Sequence, residues 1–115
     1  MITLSTHVLD TARGMPAEGL SLQIERLTPM PDQLGLFTTN ADGRVPGGLL
    51  SPEQAVPGTY RIRFEAGDYL RKYHGDLPEF PFLDSIPIEF GITADGHYHV
   101  PLLLSPYGYS TYRGS

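Results

Sequence analysis

The feature that most constrains this chain is a period of two. From Thr59 to Glu65, Tyr60, Ile62 and Phe64 alternate with Arg61, Arg63 and Glu65. An extended strand turns successive side chains to opposite faces, so this row buries one face and wets the other. The same alternation puts Leu20, Leu22 and Ile24 on one face, and Ile86, Ile88 and Phe90 on another, with Pro87 and Glu89 between them. Proline has no N–H for a ladder, so that last strand is expected at a sheet edge or with Pro87 facing outward. Thr38 to Arg44 reads as a strand running into an Asp-Gly turn. Thirteen glycines and 11 prolines cut the chain into short segments, which favours an all-β fold. One short helix is expected from Ala66 to Tyr73, with Gly75 as its left-handed terminator and Pro78 and Pro81 barring its continuation. The expectation is a β-sandwich of seven or eight strands in two sheets with one short helix.

Its 115 residues fit one domain, 1–115. A net charge of −5 argues against a general nucleic-acid binder, which needs a basic face to displace counterions. The absence of cysteine excludes a disulfide framework and a thiolate metal site. No segment approaches the roughly 20 apolar residues that span a bilayer. Met1 to His7 lacks the basic flank and apolar run of a secretory signal, and Tyr112 to Ser115 is not a Ser-Lys-Leu peroxisomal address. A cytoplasmic protein without nucleic-acid or membrane partners is expected.

The end strands carry the chemistry. Ile2, Leu4, Thr6 and Val8 share one face of the first, and Thr3, Ser5 and His7 the other. From His97 to Leu104, Tyr98, Val100, Leu102 and Leu104 form the apolar face, opposite His97, His99, Pro101 and Leu103. His7 and His99 therefore both point away from the core. In the last strand Gly108, Ser110, Tyr112 and Gly114 share a face whose small residues admit a close neighbour.

Taken singly, these residues name no reaction. No phosphate loop, paired-histidine zinc helix or serine elbow is present. His7 and His99 each read also as surface histidines, while His97 and His74 read as structural or solvated. His97 and His99 have the spacing of two metal ligands on one strand face, but no carboxylate accompanies them as a third, so no metal is expected. Arg44 reads as a solvated charge unless it faces a cleft, and Asp42 and Gly43 as turn chemistry. Tyr112 reads as a core or interface aromatic.

Together they match one pattern. Ser5-Thr6-His7-Val8-Leu9-Asp10, Asn40-Ala41-Asp42-Gly43-Arg44, His97 through Pro106 and Gly108 through Ser115, with its Tyr-Arg-Gly-Ser ending, resemble the corresponding segments of the 5-hydroxyisourate hydrolases of the transthyretin family. Transthyretin itself shares the Val-Leu-Asp and Ser-Pro-Tyr surroundings but lacks the histidines, the arginine and that ending at the matching places.

The resemblance implies a transthyretin-like (prealbumin-like) sandwich. It also implies a homotetramer of two dimers packed face to face, with active sites along the channel between them. His7, Arg44 and His99 would be catalytic, and His7, Arg44, Tyr112 and Ser115 would bind substrate, with no cofactor. The implied reaction is hydrolysis of the cyclic amide of 5-hydroxyisourate to 2-oxo-4-hydroxy-4-carboxy-5-ureidoimidazoline. His7 or His99 would be the base, with His99 preferred. Arg44 would favour the developing oxyanion, Tyr112 would position the ring, and Ser115 would complete the pocket. A non-catalytic carrier of small aromatic molecules is the rival reading, and a sandwich module for adhesion or assembly a further one.

Overall fold

The computed structural model describes residues 1–114. Among them, eight strands and one helix follow the order β1 (Ile2–Asp10), β2 (Met15–Pro16), β3 (Ser21–Thr28), β4 (Asp32–Thr38), β5 (Gly58–Glu65), α1 (Ala66–Tyr73), β6 (Ser85–Ile92), β7 (Gly96–Ser105) and β8 (Gly108–Thr111). They form two four-stranded sheets, β2-β1-β7-β8 and β4-β3-β5-β6. The alternating rows supply the core between the sheets. Leu4, Val8, Leu102 and Leu104 of the first sheet and Leu22, Ile24, Tyr60, Ile62 and Phe64 of the second are all at most 2% exposed. Each such side chain contributes about 1.5–3 kcal/mol on burial.

The strand β6 is an edge strand with Pro87 exposed opposite Arg63, as its missing N–H requires. The helix has its expected bounds but not its expected end. Gly75 is not in the left-handed conformation. His74 closes the last turn instead, its amide donating to the Leu70 carbonyl at 2.8 Å. A helix of eight residues is too short to persist alone. It is held by burial of Ala66, Gly67, Tyr69 and Leu70 and by a polar anchor at the end of β1.

That anchor is Asp10, fully buried on the inner face of β1, which it shares with Ile2, Leu4, Thr6 and Val8. It accepts hydrogen bonds from the Tyr69 hydroxyl at 2.8 Å and from the Arg13 amide at 3.1 Å, and pairs with His74 Nε2 at 2.9 Å. Burial pushes the Asp10 carboxyl up, but the bonds from His74, Tyr69 and Arg13 outweigh it and hold the group below its ordinary range. Burial and the same carboxylate push the Tyr69 hydroxyl up to about 12. His74 is thus a structural residue, fastening the helix to the first sheet.

The pairing that positions the functional side chains is β1 with β7. It is parallel, whereas the other strand pairs are antiparallel. Its register sets Thr3 opposite His97, Ser5 opposite His99 and His7 opposite Pro101. The other inner-face polar residue of β1, Thr6, is buried and donates to the Val100 carbonyl at 2.6 Å, so it costs no unpaired hydroxyl.

Candidate active site

The edge of β1 opposite β7, beyond its short pairing with β2, receives the turn that carries Arg44. Asn40 builds this turn locally. Its side-chain oxygen accepts from the amides of Asp42 at 2.9 Å and Arg44 at 3.0 Å, and its carbonyl accepts from the Gly43 amide at 2.9 Å. Gly43 has φ 74°, and a Cβ there would overlap the carbonyl oxygen of Val8. Both facts require glycine. The Gly43 carbonyl then accepts from the Val8 amide at 2.8 Å, which docks the turn on β1 and bridges Arg44 to His7.

His99 is set from two sides. Ser5, directly opposite on β1, reaches its Nδ1 at 2.8 Å. Gly114 pairs with it in an isolated antiparallel bridge, donating its amide to the His99 carbonyl at 2.8 Å. A Cβ on Gly114 would overlap the imidazole at Cδ2. The close approach expected of the small residues in the last segment is therefore, at Gly114, an approach to His99 itself.

His7 and His99 are both half-buried on the outer face of the first sheet, and Arg44 beside them is exposed. Burial lowers the pKa of His7, and the Arg44 charge lowers it further; the Asp42 backbone and charge act the other way. Burial lowers His99 as well, followed by the charges of Arg44, His97 and His7. Both imidazoles are thus biased toward the neutral form, which is the form that accepts a proton. An arginine beside two imidazoles biased toward the neutral form is an arrangement that can remove a proton from water and stabilise negative charge on a carbonyl oxygen.

The structure brings together three of the expected site residues, His7, Arg44 and His99. Tyr112 is 61% exposed and borders a separate groove of about 230 Å³ with Ile88, Phe90, Tyr98, Val100 and Arg113. Among the described residues no hydrogen bond ties Tyr112 to the cluster. Ser115 lies outside the described residues. His97 is not an isolated solvated side chain: its Nδ1 lies 2.7 Å from the Thr3 hydroxyl and its Nε2 3.0 Å from the Ser5 hydroxyl. Ser5 and Thr3 are the polar residues that sequence reasoning did not single out. Their signal was a place on the same face as His7. Among the described residues no group of three or more His, Asp, Glu or Cys converges on a metal position.

A β-sandwich bearing two imidazoles and a guanidinium on its outer face is the class that the fold and cluster define. Residues 4–114 match the model of the HIUase/Transthyretin family, and the chain belongs to that family. A 5-hydroxyisourate hydrolase of Mesorhizobium japonicum is 56% identical over 97% of this chain and 91% of its own length. Among solved structures, (S)-allantoin synthase superposes with a TM-score of 0.92 at 45% identity over 99% of this chain. This chain spans only 44% of that longer protein. The 5-hydroxyisourate hydrolase of Klebsiella pneumoniae superposes with a TM-score of 0.83 at 35% identity, covering 100% of this chain and 94% of its own.

Proposed function

We propose that the protein hydrolyses 5-hydroxyisourate, opening its cyclic amide to give 2-oxo-4-hydroxy-4-carboxy-5-ureidoimidazoline in the degradation of urate. The observation that carries this reading is the convergence of His7, Arg44 and His99, from three separate segments, on one open face of the β1–β7 pair. The 56% identity to a named hydrolase supports it. His99 is the base: Ser5 holds its Nδ1, and among the described residues no hydrogen bond occupies its Nε2. Water adds to the ring carbonyl while His99 takes its proton. Arg44 stabilises the oxyanion, a contribution whose removal typically costs about a hundred- to a thousandfold. Collapse breaks the C–N bond, and the departing nitrogen takes a proton from His99 or His7. Faster decay of 5-hydroxyisourate with the protein than without it is the test.

In this reading a second copy walls the cluster, which a single chain carries on its outer face with Arg44 exposed. The reading therefore includes a homotetramer of two dimers packed face to face, with sites at the dimer–dimer interface. Light scattering is expected to give a mass four times the 12.7 kDa chain. A monomer at working concentration that retains full activity would remove the second copy from the site. A cytoplasmic location goes with the reading, and recovery in a secreted or membrane fraction would contradict it. Among the described residues no helix is long and apolar enough to cross a membrane.

The pH profile supplies a sharper check. A neutral histidine base fails as pH falls through its folded pKa. In the wild type that pKa lies below 6.5 for both His7 and His99, through burial first and Arg44 second. Arg44→Gln removes the second cause and leaves the first. The acid limb of kcat/KM is expected to move to higher pH, along with a lower plateau. A limb that stays in place, or moves down, would mean that Arg44 does not act on the base.

The carrier reading gains nothing from the cluster. A small-molecule carrier favours a mostly apolar lining, whereas His7, Arg44 and His99 suit a polar heterocycle undergoing reaction.

A further inference from the structure

We infer that Ser5 is a positioning residue for His99, and that Ser5, His97 and Thr3 form a proton relay behind it that lets His99 take and return a proton without keeping a positive charge. This rests on His99 being the base of the proposed hydrolysis.

The geometry is a continuous chain. The Thr3 hydroxyl lies 2.7 Å from His97 Nδ1, and the Ser5 hydroxyl lies 3.0 Å from His97 Nε2 and 2.8 Å from His99 Nδ1. The parallel register makes this possible, since it sets each hydroxyl directly across from one histidine. The two imidazoles lie nearly parallel, 17° apart with centroids at 6.3 Å. Thr3 and His97 are exposed, so the chain runs from the half-buried His99 to water.

A serine hydroxyl has one proton, so between two histidines it donates to one and accepts from the other. That leaves two complete arrangements, both with neutral rings. In the first, His99 Nδ1–H donates to Ser5, Ser5 donates to His97 Nε2, and His97 Nδ1–H donates to Thr3. His99 Nε2 then carries a bare lone pair and is a base. In the second every bond is reversed: Thr3 donates to His97 Nδ1, His97 Nε2–H to Ser5, and Ser5 to His99 Nδ1. His99 Nε2 then carries the proton and is an acid.

The two arrangements differ by one proton moved along the chain. When water gives its proton to His99 Nε2, the Nδ1 proton passes to Ser5, the Ser5 proton to His97 Nε2, and the His97 Nδ1 proton to Thr3 and solvent. When the ring C–N bond breaks, His99 Nε2–H protonates the departing nitrogen and the chain shifts back, taking one proton from solvent. Protons balance over the cycle. The groups facing His99 show why the relay matters. Arg44 and His7 at the open side and His97 behind it all oppose an imidazolium. A base that exports charge as it accepts a proton avoids that opposition.

The test uses Ser5→Ala, Ser5→Thr and His97→Gln in the full-length protein. Ser5→Ala is expected to lower kcat by on the order of tenfold or more, part of the usual general-base contribution, with KM within about twofold. Ser5→Thr keeps the hydroxyl in a residue suited to strands and is expected to restore most of the rate. His97→Gln keeps a partner for Ser5 but cannot pass a proton, and is expected to match the Ser5→Ala loss. Wild-type kcat in Ser5→Ala or in His97→Gln would overturn the relay. Nitrogen-15 spectra give a readout independent of turnover and folding losses. In the resting wild type near neutral pH, His99 is expected to be protonated on Nδ1 and bare on Nε2; the opposite tautomer would overturn the proposal. If the wild type does not accelerate 5-hydroxyisourate decay, the hydrolase reading itself fails, and the tautomer then decides the hydrogen-bond network alone.

Discussion

Replacing His99 with alanine is expected to lower kcat/KM for 5-hydroxyisourate by about two to four orders of magnitude, the range that a positioned general base supplies. The fold should survive. His99 is half-buried and on the outer face, and its ring packs against a glycine rather than against the core between the sheets. His7→Ala should fall in the same direction by less, because among the described residues no hydroxyl orients His7 as Ser5 orients His99. Steady-state rates at fixed pH, corrected for spontaneous decay and paired with circular dichroism, check both. An alanine variant within about fivefold of wild type would take His99 out of the general-base role.

The second large effect is on stability. Asp10→Ala is expected to destabilise the protein by about 3 kcal/mol, since it removes one buried acceptor and strands the buried Tyr69 hydroxyl and the half-buried His74 ring. For a chain of this size that lowers Tm by on the order of 10 °C. The pH dependence follows from the depressed Asp10 pKa. Asp10 adds stability above its unfolded value of about 3.8, and loses it as pH falls through the lower folded value. The gap in Tm between wild type and variant should therefore be wide near neutrality and narrow toward pH 3. A gap that is constant with pH would show that the carboxylate charge contributes nothing. The helix carries no residue of the His7–Arg44–His99 cluster, so activity at temperatures well below the variant's Tm should fall much less than in His99→Ala.

Much of the fold is written in the residue pattern. The alternation from Thr59 to Glu65 marks a strand with one buried face, and the interruption after Glu65 marks the helix to within a residue. The alternation also places His7 and His99 on the outer face, because a period of two leaves no other choice once Leu4, Val8, Val100 and Leu102 are buried. The contacts that make a site of them are not legible. β1 and β7 lie at opposite ends of the chain, and a parallel pairing leaves no mark in either strand alone. Without that register, Ser5 is one more polar strand residue and its bond to His99 is invisible. Arg44 is similar. Its turn is readable from Asn40 and Gly43, but that the turn docks on Val8, through a backbone hydrogen bond to a strand distant in sequence, leaves no mark in the residue pattern. Only the family resemblance singled out Arg44 in advance. Gly75 failed as a helix terminator because the chain ends the helix through His74, whose ring is drawn to Asp10 across 64 positions of sequence.

The most direct measurement generates 5-hydroxyisourate in place with urate oxidase and follows its ultraviolet decay with and without the protein at fixed pH. Strong acceleration by the wild type, abolished in His99→Ala and weakened in Arg44→Gln, is the expected result. Decay at the spontaneous rate in the presence of folded, assembled protein would contradict the hydrolase reading and bring the carrier reading to the front.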